Sequence, residues 1–168
     1  MLRVTLILII GLSMESNLFS WPIPGYIYIS SYYGKRKSPT QGASTFHSGI
    51  DIPAPEGTPL YAIESGEIIF CSWGIGGGYT IVLRLAKYPD ISVSYCHTSP
   101  KFNVSLHQKV ERDSLIGFVG PKNVYGINNN PYKDSDGNPT NGATTGTHLH
   151  FTIKINGEFT DPLNYYYD

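Results

Sequence analysis

The segment TTGTHLHF, residues 144–151, sets two imidazoles, His148 and His150, one residue apart behind a run of small, turn-forming residues. In an extended strand, residues two apart face the same side, so both rings project side by side while Leu149 enters the opposite layer. Two imidazoles facing one cleft can bind a metal ion together, or one can bind it while the other moves protons. Further donors stand upstream. In HSGIDIPAP, His47 and Asp51 are four apart. That spacing suits a helical turn, but Gly49, Pro53 and Pro55 argue for an irregular entry into a short strand. The two side chains then converge only if the backbone bends between them. His97, in SYCHTS, ends a strand-like run, and strand alternation puts Tyr95 and His97 on one face with Cys96 on the other. His107 lies in a polar loop beside Gln108 and Lys109 and reads as a solvated surface residue. Together these side chains supply enough nitrogen and oxygen for a zinc site of histidine and carboxylate ligands with an open fourth position. Spacing alone leaves open which ring of the His-Leu-His unit is the ligand.

The elements that must carry these residues are short. From Tyr26 onward the chain consists of apolar or alternating runs cut by glycine and proline: YIYISSYY, PLYAIESGEIIFCSW, GYTIVLRL, ISVSYCHTS, SLIGFVG and THLHFTIKI. This pattern predicts an all-β domain, a single compact antiparallel sheet or sandwich, with no strong amphipathic helix. Gly77-Gly78, Pro89-Asp90 and Asn156-Gly157 mark turns, and residues 153–159 read as a hairpin around the Asn-Gly tip. GIGGGY at 74–79 lacks the Lys-Ser/Thr ending of a phosphate loop and sits between two strand-like runs, so it reads as a glycine hairpin. If it borders a cleft, its bare backbone lets an extended substrate approach closely. PKNVYGINNNPYKDSDGNPTNG, residues 121–142, has turn-forming composition and reads as a long surface loop, a place for a binding lip. Its DSDGN part has the wrong register for a calcium loop and reads as a plain turn.

At 168 residues the chain suits one domain able to bury a core without disulfides. Its net charge of −1, with only 15% charged residues, argues against an electrostatic grip on nucleic acid or an acidic membrane. The opening MLRVTLILIIGLS joins Arg3 to an apolar run too short to span a bilayer but suited to a secretory signal. Residues 1–20 are therefore expected to be a signal peptide or an uncleaved N-terminal anchor, residues 21–168 the working domain, and the location the periplasm, cell envelope or exterior. Cys71 and Cys96 lie in the first and third of three consecutive strand-like runs. A meander would hold them about 9–10 Å apart, beyond disulfide reach.

Several motifs in order carry a resemblance. HSGIDIPAPEGTPLYAIESGEI resembles the His-x-x-x-Asp region of lysostaphin-type (LytM-like) zinc endopeptidases, which cleave peptide cross-links of bacterial cell walls. SYCHTS resembles their Tyr-x-His segment, and TGTHLHF their His-x-His motif followed by Phe. SSYYGKRKSP, SLIGFVG and NGEFTDPLNY agree in position, so the likeness covers roughly Tyr26 to Tyr165. It implies a lysostaphin-like (duplicated hybrid motif) fold with long loops around a cleft. It further implies that His47, Asp51 and His150 bind Zn2+, that His97 and His148 are the catalytic pair, and that the substrate is peptidoglycan peptide. Thr147 stands where the family usually has proline and Thr152 where an acidic residue is common, and the 121–142 loop is longer than usual. These departures bear on substrate choice rather than on the metal chemistry. Two rivals follow from the same likeness: a non-catalytic wall-binding domain that regulates another hydrolase, and a structural zinc domain, which would need a closed ligand shell.

Overall fold

The computed structural model describes residues 18–38 and 43–166, so residues 1–17 of the expected leader lie outside the described residues. Its strands are β1 (Gly34–Lys35), β2 (Phe46–His47), β3 (Ile50–Pro53), β4 (Pro59–Tyr61), β5 (Gly66–Gly74), β6 (Gly78–Leu85), β7 (Ile91–Cys96), β8 (Lys109–Val110), β9 (Leu115–Phe118), β10 (His148–Ile155) and β11 (Glu158–Thr160). A 3-10 turn, Pro162–Tyr165, follows. All pairings between these strands are antiparallel, as the alternating runs predict.

The main sheet runs β11-β10-β7-β6-β5-β8, with β3 added to β10. Strands β5, β6 and β7 form the expected meander, and β6 separates the free thiols of Cys71 and Cys96. Strand β10 is the hub. Its first half pairs with β3, its last residues pair with β11 on the same edge, and β7 covers the opposite edge. Leu149, Phe151 and Ile153 of β10 and Ile91, Val93 and Tyr95 of β7 point into one core with Ile81, Leu83 and Leu85 of β6. The small sheet β4-β9 packs over this layer: the Tyr95 hydroxyl donates to Tyr61 O (3.0 Å) and accepts from Ile63 N (3.1 Å). Phe19 also enters the core and stacks on Tyr165, two residues ahead of the expected domain start at Trp21.

The Asn156-Gly157 tip joins β10 to β11 with both residues at positive φ (50° and 84°), as a type I′ hairpin requires. The glycine-rich stretch closes the β5–β6 hairpin, with Gly74 opposite Gly78. Two expected runs differ. Residues 26–33 are not a strand: only a bridge from Ser31 to Asp51 forms there. Ile27 and Tyr28 stay exposed while Ile29 is buried, so the run contributes to the core without pairing as a strand. The edge of β3 offers this segment only the backbone of Asp51, which accepts from Ser30 N and donates to Ser31 O. The run 59–73 divides into β4 and β5, because the chain crosses from the small sheet to the main one through buried Ala62 and Ile63.

Candidate metal centre and cleft

Strand register brings the distant residues together. His150 lies directly across from Asp51 on β3 and from Cys96 on β7. His47, at the end of β2, reaches the same point because the chain bends at residues 48–49 before β3 begins, which is the bend that convergence of His47 and Asp51 demands. His47 Nε2 lies 3.0 Å from Asp51 Oδ1 and 3.0 Å from His150 Nδ1, and His150 Nδ1 lies 2.8 Å from Asp51 Oδ1. Three donor atoms thus form a small triangle, and these three residues could hold one metal ion. Zinc–nitrogen bonds of about 2.0–2.1 Å in tetrahedral geometry imply ligand–ligand edges of about 3.3 Å, so the donor set matches with an adjustment of a few tenths of an ångström.

Protonation makes the same point. His47 Nδ1 lies 2.8 Å from Tyr32 O, which can only accept, so Nδ1 carries the proton. In the neutral ring Nε2 then presents a lone pair to Asp51 and His150. Lone pairs of two imidazoles and a carboxylate repel at this range unless a proton or a metal cation lies among them. Burial alone would raise the Asp51 carboxyl, but its hydrogen bonds to His148, His150 and His47 outweigh this and hold it far below the usual carboxylate range. Burial pushes His150 down, with Asp51 pulling partly back. Arg36 Nη1 binds Asp51 Oδ2 at 3.1 Å and so leaves Oδ1 to face the imidazoles. Sequence reasoning assigned Arg36 no role; its only signal was its place in the SSYYGKRKSP flank.

His148 shares the cleft face with His150, and its Nε2 lies 3.4 Å from Asp51 Oδ1. Its Nδ1 faces Gly146 O at 3.1 Å. The ring of His97 is 4.8 Å from that of His148. His97 Nδ1 donates to Asn141 O at 2.6 Å, which turns the lone pair of Nε2 away from that carbonyl. Burial first, then the neighbouring His148 and His150, holds the His97 pKa well below 6.5, so the ring is neutral at neutral pH and Nε2 carries a lone pair. The expected alternation fails here. Tyr95 is in the core and Cys96 lines the cleft beside His97. His97 adopts φ 59°, and this left-handed turn just past the end of β7 swings its ring to the side that strand period assigned to Cys96. His107 is exposed as expected and sits 3.0 Å from Glu67.

The cluster opens into a groove of about 410 Å³, walled by Gly76 and Gly77 of the glycine hairpin and by Tyr132 of the long loop. That loop is not wholly a surface feature, for Thr140 and Asn141 are buried. Asn141 ties three segments: its Nδ2 donates to Thr98 O (3.0 Å) and Pro121 O (3.2 Å), and its Oδ1 accepts from Tyr79 N (2.9 Å). Gly78, at φ 64°, packs so closely here that a Cβ would collide with Asn141. The DSDGN segment is a turn in which Asp134 Oδ1 accepts from the backbone of Asp136 and Asn138. Its Oδ2 meets Lys122 and Asn123, so protein groups engage both carboxylate oxygens. Asn141→Ala orphans one buried donor and two acceptors, at about 1–3 kcal/mol each. It is expected to destabilise the protein by about 3 kcal/mol. Urea denaturation checks this, and a loss below about 1 kcal/mol would rule the strut role out.

Similarity to known proteins agrees with this geometry. The sequence pattern of Peptidase family M23 matches residues 45–162. The chain is 32% identical over 139 residues to the DD-carboxypeptidase/endopeptidase Mpg of Neisseria meningitidis serogroup B, covering 83% of this chain and 27% of that protein. It is 26% identical over 156 residues to the peptidoglycan DD-endopeptidase ShyA of Vibrio cholerae, covering 92% of this chain and 30% of the relative. The chain therefore spans less than a third of these relatives. Among solved structures, the lysostaphin catalytic domain of Staphylococcus simulans superposes with a TM-score of 0.64 at 28% identity, covering 83% of this chain and 90% of that one. A zinc-containing peptidase of Vibrio cholerae gives 0.64 at 25%, covering 86% and 39%. Antiparallel strands that hold His47, Asp51 and His150 in one triangle, inside a matched region that also contains His97 and His148, place this chain in peptidase family M23.

Proposed function

We propose that the protein is an exported zinc-dependent endopeptidase that hydrolyses peptide cross-links or stem peptides of bacterial peptidoglycan. His47, Asp51 and His150 hold the zinc, and His97 and His148 are the catalytic pair. The observation that carries this reading is the donor triangle, with edges of 2.8–3.0 Å and its His47 tautomer set by Tyr32 O, at the floor of an open groove. When bound, zinc would lower the pKa of a water ligand to about 7 and polarise the scissile carbonyl. The chain's own residues supply the rest. His97, kept neutral and oriented by Asn141 O, can accept a proton through Nε2; His148, with Nδ1 turned to Gly146 O, presents Nε2 on the same side of the cleft. Between them they orient the attacking water, hydrogen-bond the developing oxyanion and return a proton to the leaving amine. The bare backbone of Gly76 and Gly77 admits an extended peptide.

The substrate class is supported by relatives named for peptidoglycan endopeptidase activity, and the export by the apolar opening after Arg3. One relative, YgeR of Escherichia coli, is described as a lipoprotein. Among the described residues no helix is long and apolar enough to cross a membrane. The regulatory and structural-zinc alternatives are disfavoured by the same feature: two further imidazoles, His97 and His148, beside the triangle in an open groove. Purified protein is expected to contain about one zinc per chain and to release new amines from peptidoglycan. Chelation should stop release and zinc should restore it. Stoichiometric zinc without amine release would support the regulatory alternative and defeat the enzyme.

A further inference from the structure

The groove continues past the histidine–aspartate cluster. Cleft-facing positions of β10 run from His148 and His150 through Thr152 to Lys154, and the groove takes in Ser94 of β7 and Phe159 of β11. Lys154 is four residues beyond His150, about 13 Å at 3.3–3.4 Å per residue. It lies opposite Phe159 in the hairpin register, with its Nζ 4.3 Å from the centre of that ring. A cation held over an aromatic face is partly ordered before any ligand arrives. The positive charges of the groove differ in one respect. Arg36 is engaged by Asp51, whereas Lys154 forms no ion pair with any carboxylate among the described residues. Between the cluster and Lys154 the floor is neutral: Thr152 and Ser94 face each other across β10 and β7, and Asp51 is the one carboxylate among the described groove residues.

We propose that Lys154 is a specificity-determining residue that binds a carboxylate of the substrate peptide, about four extended residues' length from the bond that is cut. The groove would thus have a cleaving end at His150 and a charge-reading end at Lys154 on the same strand. Peptides carrying a free carboxylate at that distance are preferred over their amidated counterparts, and Phe159 keeps the ammonium over the groove rather than in bulk solvent.

This inference rests on the endopeptidase function proposed above, and its test separates the two. Cross-linked wall peptide fragments are prepared with free carboxylates and with those carboxylates converted to carboxamides. Their affinities are measured by NMR titration on zinc-loaded protein carrying His148→Ala, so that turnover does not interfere, while cleavage is measured on the unsubstituted protein. The acid form should bind about fivefold more tightly than the amide, the upper range for a half-exposed ion pair. Adding Lys154→Gln should bring the ratio close to one, and Lys154→Arg should keep it. Equal affinity for acid and amide, or a preference that survives Lys154→Gln, overturns the assignment of Lys154. Absence of cleavage by the unsubstituted protein overturns the endopeptidase function instead, whatever the affinity ratio.

Discussion

Replacing His150 by alanine is expected to empty the metal site and abolish amide hydrolysis. His150 supplies one corner of a triangle whose other corners, His47 and Asp51, are joined to it at 3.0 and 2.8 Å. Loss of residues that merely support metal ligands costs about 10- to 100-fold in affinity, so deletion of one of three ligands should cost more than about 100-fold. Stability gives a second readout. Zinc at about 100 times its Kd stabilises a folded protein by about 2.7 kcal/mol, which for 150–250 residues is a rise in Tm of roughly 5–11 °C. The unsubstituted protein should show that rise and His150→Ala should not. The assignment fails if the variant keeps stoichiometric zinc, or if its Tm still responds to added metal as the parent does.

A separate outcome is expected at the other two rings. His148→Ala and His97→Asn should retain most of the zinc and the metal-dependent Tm while losing turnover by about 10²- to 10⁴-fold, the usual worth of positioned acid–base groups. Asparagine is the better probe at position 97 because the residue sits at φ 59°, a conformation asparagine adopts more readily than alanine. His148 Nε2 stands 3.4 Å from Asp51 Oδ1, outside the tight triangle, which is why its removal should spare the metal. Full turnover by His148→Ala would remove it from the catalytic pair, and loss of zinc from His97→Asn would assign that ring to the metal instead.

Much of the cleft could be read from local pattern. A period of two put His148 and His150 on one face and Leu149 in the core, and the composition of 156–157 marked the hairpin that follows. The same rule failed at Tyr95, Cys96 and His97, because one left-handed residue interrupts the alternation and no periodicity encodes it. Alternation also misled at 26–33, where the edge of β3 had only Asp51 to offer. Asn141 carried no legible signal, and Arg36 only its place in the SSYYGKRKSP flank. Each works through hydrogen bonds to groups far along the chain, Asn141 to Thr98 and Tyr79 and Arg36 to Asp51.

By itself, then, the order of residues determined most of the strands and turns and the set of five chemically capable side chains, since backbone preference and the alternation of apolar residues act over a few positions. Which imidazole joins His47 and Asp51 could not be read from spacing; the resemblance implied His150, and the tertiary structure is what physically brings that ring to them. Those contacts span 99 and 103 residues, and they exist because β3 and β7 flank β10 in one register, with His150 opposite Asp51 and Cys96. That register is held by burial of Leu149, Phe151 and Ile153 on the far face, and a slip of one residue would turn His150 into the core.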